Sequence, residues 1–521
     1  MSIISSLSTG ALALQVNQNA INTTAHNLSN INTKGYTRQQ VLLNNKNYNT
    51  IGQSAISKNQ IGLGVDYSVT RQIRDEFLDK SFRKEKGKAA FYGVISNTNA
   101  EIENLLNSLN GKGVSDSIDK LWVSIEELKK DPGNTVTKNS FISAASQFVE
   151  SSQSFYNDLC NYQNNLNTEV FDIIEKINAY AKSIKSLNEQ IRKNESDNES
   201  ANDLKDKRNL LIDDLSELIN TNVETNKDGS ADIFIEGMPL VTNENVFEIE
   251  ITQNSNNFFI PVWKNGNEVF NSFDNVSAEN GNDIGKLKAL LMMRGDKNAN
   301  YLDDDNVTNS LIENTQSMFD NLCHSLMTEI NNILTDEKDL IDNNIIPEYN
   351  KETPIELFVR NDSSRYIERD NKFIYNDESN SLYTINNIKI NPLFLKEPAK
   401  LDMENEDKSI NFEKANKLSD IFNHDINSLN KEMVTKYNFK NYFLAMSNDI
   451  VNTGNIYRNI SETHKQSLKN IDDSRQSILN VSSDEELANL IKFQNAYNAA
   501  SRFINVINEM YDQIINKTGL V

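Results

Sequence analysis

The stretch IISSLSTGALALQVNQNAINTTAHNL, residues 3–28, decides how the N-terminal end of this chain folds. Apolar residues recur in it at alternating intervals of three and four, with one polar member at Gln18. Such spacing is typical of a helix that winds around a partner helix. The sequence therefore predicts a helix over residues 1–32 with an apolar seam. The residues of this N-terminal seam are Ile4, Leu7, Ala11, Leu14, Gln18, Ile21, Ala25 and Leu28.

A matching helix is predicted at the C-terminal end, over residues 480–521. Ser482 and Ser483 each stand three residues before a glutamate, which is the pattern of a capping box at a helix N-terminus. Apolar residues then again recur at intervals of three and four, and a neighbouring lane widens the apolar face. The residues of this C-terminal seam are Leu490, Phe493, Ala496, Tyr497, Ala500, Phe503, Ile504, Ile507, Met510, Tyr511 and Ile514.

The two seams allow two interpretations. Each helix could lie on the core of its own chain, or both could pack against other copies. Three features favour assembly: the repeat is closer to 3.5 than to 3.6 residues, the seams occupy the chain ends, and small residues recur on them. A narrow seam also buries little in a monomer, since each large side chain contributes about 1.5–3 kcal/mol against about 1–2 kcal/mol of backbone entropy per ordered residue. We therefore interpret both seams as assembly interfaces.

Between the ends, helical periodicity dominates and gives way locally to strands. Asp131-Pro132-Gly133 stops one predicted helix, and Ile233 and Ile235 alternate with Asp232, Phe234 and Glu236 as in a strand. We expect a mainly helical α+β protein, elongated and multidomain. Its segments are an N-terminal axial helix with an extended segment (1–70), a helical domain (71–220), a β-rich middle domain with following helices (221–334), a variable β-rich insertion (335–412), a returning helical segment (413–479) and a C-terminal axial helix (480–521).

Composition excludes several classes of function. The chain has 521 residues and a net charge of −22, which disfavours nucleic acid and an anionic membrane surface as partners. No run of 18 apolar residues predicts a membrane span. The first twenty residues lack the basic and apolar regions of a cleaved signal peptide. Two cysteines, far apart, predict neither a disulfide framework nor a zinc site.

Catalytic and metal-binding patterns are weak. Cys323 and His324 are neighbours on a predicted helix, where adjacent side chains point apart. A calcium-loop pattern starts at Asp296, but Tyr301 replaces its glycine and Val307 replaces its bidentate glutamate. We therefore predict no enzyme activity, no metal and no cofactor.

The segment AHNLSNINTKGYTRQ, residues 25–39, resembles the N-terminal motif of the flagellar rod, hook and hook-associated proteins. His26 stands where that family usually has asparagine. Three further segments narrow the resemblance to hook-associated members at the junction of hook and filament. They are DLKDKRNLL (203–211), GSADIFIEGMPLV (229–241) and the run from Arg475 to Tyr497. Residues 335–410 contain no segment that resembles the family.

The resemblance implies a structural role outside the cell. It implies export through the flagellar type III channel without a cleaved signal, with an export chaperone on the C-terminal helix. It implies a ring of copies on the hook, with terminal helices in an inner tube. The partners would be the hook subunit and the next hook-associated junction protein. Two alternatives stay open: another flagellar axial protein, such as the hook subunit or the third hook-associated protein, or a secreted adhesin or effector.

Overall fold

The fold was obtained as a computed structural model. It describes residues 3–45, 48–53, 58–62, 64–107, 113–196, 200–270, 273, 276–305, 308–335, 356–362, 366–369, 372–375, 382–405, 407–425, 428–429 and 435–517. The protein is mainly helical, with several small antiparallel sheets, which confirms the predicted α+β class. The chain divides into two compact units. Unit 1 comprises residues 1–89, 175–249 and 464–521, and unit 2 comprises residues 90–174 and 250–463.

The α-helices among the described residues have the following bounds. They are α1 (Ile3–Ser29), α2 (Glu76–Asn107), α3 (Val114–Lys130), α4 (Thr135–Ser196), α5 (Asn202–Leu218), α6 (Lys286–Arg294), α7 (Leu311–Leu334), α8 (Pro392–Lys396), α9 (Phe412–Asp420), α10 (Phe439–Leu479) and α11 (Ser483–Asp512). A single π turn, Gln513–Lys517, follows α11.

Within the described ranges, the strands form six small sheets. The strands are β1 (Gln39–Asn45), β2 (Tyr48–Gln53), β3 (Lys58–Gly62), β4 (Val65–Gln72), β5 (Thr221–Thr225), β6 (Ala231–Ile235), β7 (Met238–Val241), β8 (Ile249–Gln253), β9 (Phe259–Trp263), β10 (Phe358–Arg360), β11 (Tyr366–Arg369), β12 (Lys372–Tyr375) and β13 (Ile388–Ile390). The pairs β1–β4, β2–β3, β8–β9, β10–β13 and β11–β12 form two-stranded sheets, and β5–β6–β7 form one of three strands.

In unit 1, the alternation predicted for β6 decides which face of its sheet is buried. Ala231, Ile233 and Ile235 are buried, while the residues between them are less so. Ile212 and Leu215 of α5 are also fully buried. The apolar residues at period two and period 3.6 thus form the core of this unit, as hydrophobic patterning requires.

In unit 2, aromatic rings and a buried arginine organise the core. Phe155 of α4 meets Phe319 of α7 edge-on, with ring centroids 4.7 Å apart. Arg294 at the end of α6 is 1% exposed and donates to Asn167 Oδ1 at 2.7 Å and to the Phe259 carbonyl at 2.8 Å. Buried polar groups with satisfied hydrogen bonds fix the position of α6 against α4 and β9.

Two predicted helix starts are wrong because capping side chains lie elsewhere. Helical periodicity in the sequence resumes near Arg71 and predicts a helix from there, but β4 continues to Gln72. Asp75 caps α2 by accepting the N–H groups of Phe77 and Leu78 at 2.8 and 3.2 Å. Likewise, the sequence pattern predicts that helix returns from about Ser428, but α10 begins at Phe439, where Asn438 accepts the Asn441 N–H at 2.9 Å.

The predicted insertion at 335–412 falls partly outside the described residues, as does Val307. Within it, the runs IELFV (355–359) and NIKIN (387–391) predict strands, and β10 and β13 form there. The run SLYTI (381–385) also predicts a strand, and this prediction is wrong: Ile385–Asn387 is a 3₁₀ turn. Buried Asp320 accepts the Ile385 N–H at 2.7 Å, so that this donor is not available to a sheet. No helix among the described residues is long and apolar enough to cross a membrane.

Candidate functional site: the paired terminal helices

The C-terminal helix α11 starts where the capping pattern predicted. The Ser482 side chain accepts the Glu485 N–H at 3.5 Å. Asp484, Glu485 and Glu486 fill the first turn, where negative charge complements the helix dipole. Local sequence chemistry thus separates α11 from α10, which ends at Leu479.

The N-terminal helix α1 packs against α11 within unit 1. Gly10 lies at the closest part of this contact. A Cβ atom there would stand 2.8 Å from Ile504 Cγ1 and 3.2 Å from Phe503 Cδ1. Because real side chains do not approach so closely, the absence of a side chain at Gly10 permits the contact.

The buried stripe of α1 is not the predicted N-terminal seam. It contains small or polar residues, namely Gly10, Val16, Ala20, Thr24 and Asn27. Four of these five lie one position before a seam residue, which is a rotation of about 100° around the helix. They face α11 and the β1–β4 sheet, the elements that α1 contacts.

The predicted seam of α1 therefore stays largely in contact with solvent. Leu7, Ala11, Gln18 and Ala25 are exposed. The residues Leu14, Ile21 and Leu28 are partly exposed. Ile4 lies in α1, but its side chain is outside the described residues.

The predicted seam of α11 divides into two lanes. One lane is partly or fully buried and contains Leu490, Phe493, Ala496, Tyr497, Ala500, Ile504 and Ile507. The other is exposed and contains Phe503, Met510, Tyr511 and Ile514. Leu487, Ile491, Val506 and Ile515 add exposed apolar surface that the sequence analysis did not single out. Exposed apolar residues at this density are typical of an interaction surface.

A buried asparagine links α1 to the start of α11. The Asn27 amide donates to the Gln39 carbonyl at 2.8 Å and to Glu486 Oε2 at 3.1 Å. Its Oδ1 accepts from the Gln39 N–H at 3.0 Å and from the Tyr36 hydroxyl at 2.7 Å. Arg38 then donates to Glu486 Oε1 at 2.8 Å. Every donor and acceptor of the amide is occupied, which fixes the base of the helix pair.

The loop after α1 is also joined to α5. Asp206 accepts the Thr37 N–H at 2.9 Å and the Gln72 side-chain amide at 2.7 Å. Burial raises the pKa of Asp206 to about 6, against the lowering effect of the hydrogen bonds from Thr37. At the rim, His26 Nε2 lies 3.3 Å from both carboxylate oxygens of Asp203. The segments at 25–39 and 203–211, far apart in sequence, are therefore one site.

A cluster of ion pairs joins α10 to α2 and α5. Arg475 donates to Asp79 Oδ1 and to Asp213 Oδ2, both at 2.6 Å. Arg83 donates to Asp213 Oδ1 at 2.7 Å, and Arg74 pairs with Asp79. Burial opposes the ionisation of Asp79, but Arg74 and Arg475 outweigh it and hold the pKa of Asp79 below its usual range. This cluster anchors the helix that leads into α11.

Sequence reasoning did not single out Gly10, Asn27, Asp206, Asp213 or Arg475 as site residues. Their signals are present in the sequence. A glycine inside a strongly periodic helix indicates a close approach, and charged residues on the apolar face of α5 indicate buried partners. No pattern supplied the pairing, because most of the partners lie on segments more than one hundred residues away.

Cys323 and His324 form no reactive pair. Cys323 is fully buried, and burial raises the pKa of its thiol well above the usual range. The His324 ring stacks on Tyr301 with centroids 3.7 Å apart, and its Nδ1 lies 3.0 Å from the Tyr383 carbonyl. No cluster of potential metal ligands occurs in the part of the chain that the structure describes.

Comparison with known proteins places these features in a family. Residues 99–345 match the model described as the flagellar hook-associated protein FlgK helical domain. Residues 475–517, which include Arg475 and α11, match the model described as the flagellar basal body rod FlgEFG protein C-terminal.

Relatives match over the whole length. Flagellar hook-associated protein 1 of Bacillus subtilis is 26% identical over 543 aligned residues, which cover 99% of this chain and 98% of the relative. Flagellar hook-associated protein 1 of Escherichia coli is 22% identical over 98% of this chain and 100% of the relative. A solved structure of the flagellar hook junction protein FlgK from Burkholderia pseudomallei aligns with a TM-score of 0.39 and 17% identity, over 49% of this chain and 44% of that one. The agreement of both family models with the full-length relatives shows that the chain belongs to the family of flagellar hook-associated protein 1.

Proposed function

We propose that this chain is a structural subunit of the bacterial flagellum that joins the hook to the filament. In this proposal it assembles through the apolar surface that α1 and α11 leave exposed. The observation that carries the proposal is this exposure, in a protein of the hook-associated family. Leu7 is 38% exposed, Phe503 is 47% exposed and Met510 is 54% exposed.

In this proposal the two faces of the helix pair have different roles: one holds α1 against α11, and the other remains exposed for assembly. Gly10 and the neighbouring small residues let α1 lie close to α11 within one chain. The bulky residues of the N-terminal seam and the exposed lane of α11 then remain available to neighbouring copies. Their burial on assembly would contribute about 25 cal/mol per Å² of apolar surface, and this contribution is absent in the monomer.

The partners follow from the family. We propose that copies of this chain form a ring that contacts the hook subunit and the next hook-associated junction protein, outside the cell. We propose further that the chain leaves through the flagellar type III export channel without a cleaved signal, with an export chaperone on the C-terminal helix. A catalytic activity has no part in this role.

The test is a charge placed in the exposed lane. Met510→Asp should abolish binding of the purified chain to isolated hooks, because assembly would bury an unpaired carboxylate. The far-ultraviolet circular dichroism should stay unchanged, since position 510 contacts solvent in the monomer. Binding is measured by co-sedimentation with hooks.

Leu395→Asp is the matched control. Leu395 is also 54% exposed, but it lies in unit 2 on α8. This variant should co-sediment like the parent chain. Retained binding by Met510→Asp, or equal loss in both variants, would contradict the role of the terminal helices. If the unmodified chain does not bind hooks at all, then the secreted adhesin or effector alternative has to be taken up.

A further inference from the structure

A second feature of unit 1 has no part in the proposed assembly. A cleft of about 1110 Å³ opens between β4, α2, the end of α4, α5 and the β5–β6 hairpin. Eight Lys or Arg side chains and five Asp or Glu side chains line it. The lining therefore has a local excess of positive charge, whereas the chain as a whole carries a net charge of −22.

Arg208 of α5 is the buried member of this lining. It is 4% exposed, and its Nη1 donates to Asn188 Oδ1 at 3.0 Å and to the Gly229 carbonyl at 2.7 Å. Its Nε is buried and has no hydrogen-bond partner among the described residues. Nor does any carboxylate of those residues form an ion pair with it. Glu195 and Asp228 lie close enough to attract its charge, but neither pairs with it directly, and a buried charge without a directly paired carboxylate is unfavourable.

The neighbouring carboxylates are already engaged. Asp79 pairs with Arg74 and Arg475, and Asp213 pairs with Arg83 and Arg475. Arg74 also has a buried Nη2 without a partner among the described residues. Burial, and then the positive charges of Arg83 and Arg74, lower the pKa of Arg208 to about 10. Arg83 and Arg74 therefore lie close enough to repel Arg208, and the opposing attraction of Glu195 and Asp228 does not restore its pKa to the usual range.

We propose that this cleft binds an oxyanion, a phosphate or a carboxylate, which takes the free donors of Arg208 and Arg74. Guanidinium groups are the preferred partners of both anions, because their N–H groups match two oxygens at once. Arg192 and Lys227 lie exposed on the lining and form no ion pair within the described part of the chain. They raise the positive potential at the mouth of the cleft and attract the anion. The anion comes either from solution or from an acidic side chain of another protein chain.

The test is a calorimetric titration of the full chain with two probes at constant ionic strength. The probes are inorganic phosphate and an oligoglutamate peptide. We expect saturable binding of at least one probe. The double variant Arg192→Ala/Lys227→Ala should weaken it about tenfold, because two attractive charges are removed from exposed positions that do not affect folding. Tighter binding of phosphate identifies a free anion, and tighter binding of the peptide identifies a protein side chain.

Lys193→Ala/Lys207→Ala is the matched control. Both lysines are exposed on α4 and α5, but neither lines the cleft. This variant loses the same charge and should bind as tightly as the parent chain. Two results would overturn the proposal: no saturable heat with either probe, or equal affinities in the two double variants. The second result would mean that the anion responds only to overall charge.

Discussion

At the scale of the residue, the buried guanidinium of Arg475 decides how α10 is held. It bridges Asp79 of α2 and Asp213 of α5, and its charge lies over the Phe82 ring at 4.4 Å from the centroid. Replacing it by an apolar residue would leave two buried carboxylates short of a partner. The loss of a buried partner costs far more free energy of unfolding than the loss of a surface ion pair, because water cannot solvate the charge that remains.

We predict that Arg475→Met lowers the free energy of unfolding of the chain by about 3–5 kcal/mol. Denaturant unfolding monitored by circular dichroism measures it. Arg458→Met is the control on the same helix, because Arg458 is 46% exposed and pairs with Glu103 at 3.3 Å. There the loss should stay below about 1 kcal/mol. Similar losses in the two variants would show that the cluster around Arg475 is no stronger than a surface pair.

Asp206 makes stability depend on pH in the opposite sense to most acids. Its folded-state pKa of about 6 lies above that of an unfolded aspartate, about 3.9. Between these values the folded state binds more protons, so that the contribution of this group falls as pH rises. From pH 5 to pH 7 it should fall by about 1 kcal/mol.

Asp206→Asn should remove this dependence. The unfolding free energies of parent and variant, measured at pH 5 and at pH 7, give two differences. We expect the parent to be favoured over the variant by about 1 kcal/mol more at pH 5 than at pH 7. Equal differences at the two pH values would mean that Asp206 is ionised with an ordinary pKa.

At the scale of the element, the α1–α11 contact depends on a missing side chain. We predict that Gly10→Val loosens it, because a Cβ would lie 2.8 Å from Ile504 Cγ1. Overpacking of this kind costs about 1–3 kcal/mol. Faster amide hydrogen exchange in residues 483–512 is the measurement. The double variant Gly10→Val/Ile504→Ala makes room for the added atoms and should restore slower exchange. If Gly10→Val exchanges like the parent, then the close approach does not hold α11.

The helices were largely predictable and their faces were not. Periodicity and capping located α1 and the start of α11 to within a few residues, because both signals are local. The buried stripe of α1, however, consists of residues such as Gly10, Ala20 and Thr24, which carry little hydrophobicity. A search for bulky apolar residues therefore selects the stripe beside it. Only the partner element decides which face is inside, and that information is not local.

At the scale of the whole molecule, sequence reasoning identified the family and the fold class. It did not identify which segments of the chain come together in each compact unit. It divided the chain into consecutive segments, and that division remains a prediction. The structure groups residues 1–89, 175–249 and 464–521 into one unit. Such grouping depends on pairs like Asn27 with Glu486 and Thr37 with Asp206. Hydrogen bonds between polar residues produce no periodicity in the sequence. Before the fold was known, therefore, only the family resemblance linked these segments to one another.

The hydrogen bond between Arg38 and Glu486 joins residues 448 positions apart. Bringing such distant segments together restricts the chain more than any local contact does, and folds dominated by distant pairs form slowly. We infer that the junction of α1 with α11 closes late, after the intervening helices and sheets have formed. A newly emerged chain would thus spend its early lifetime with its middle folded and its two ends still unjoined. In that interval the ends are free to meet a neighbouring molecule before they meet each other, so that the order of folding itself favours growth at an existing structure.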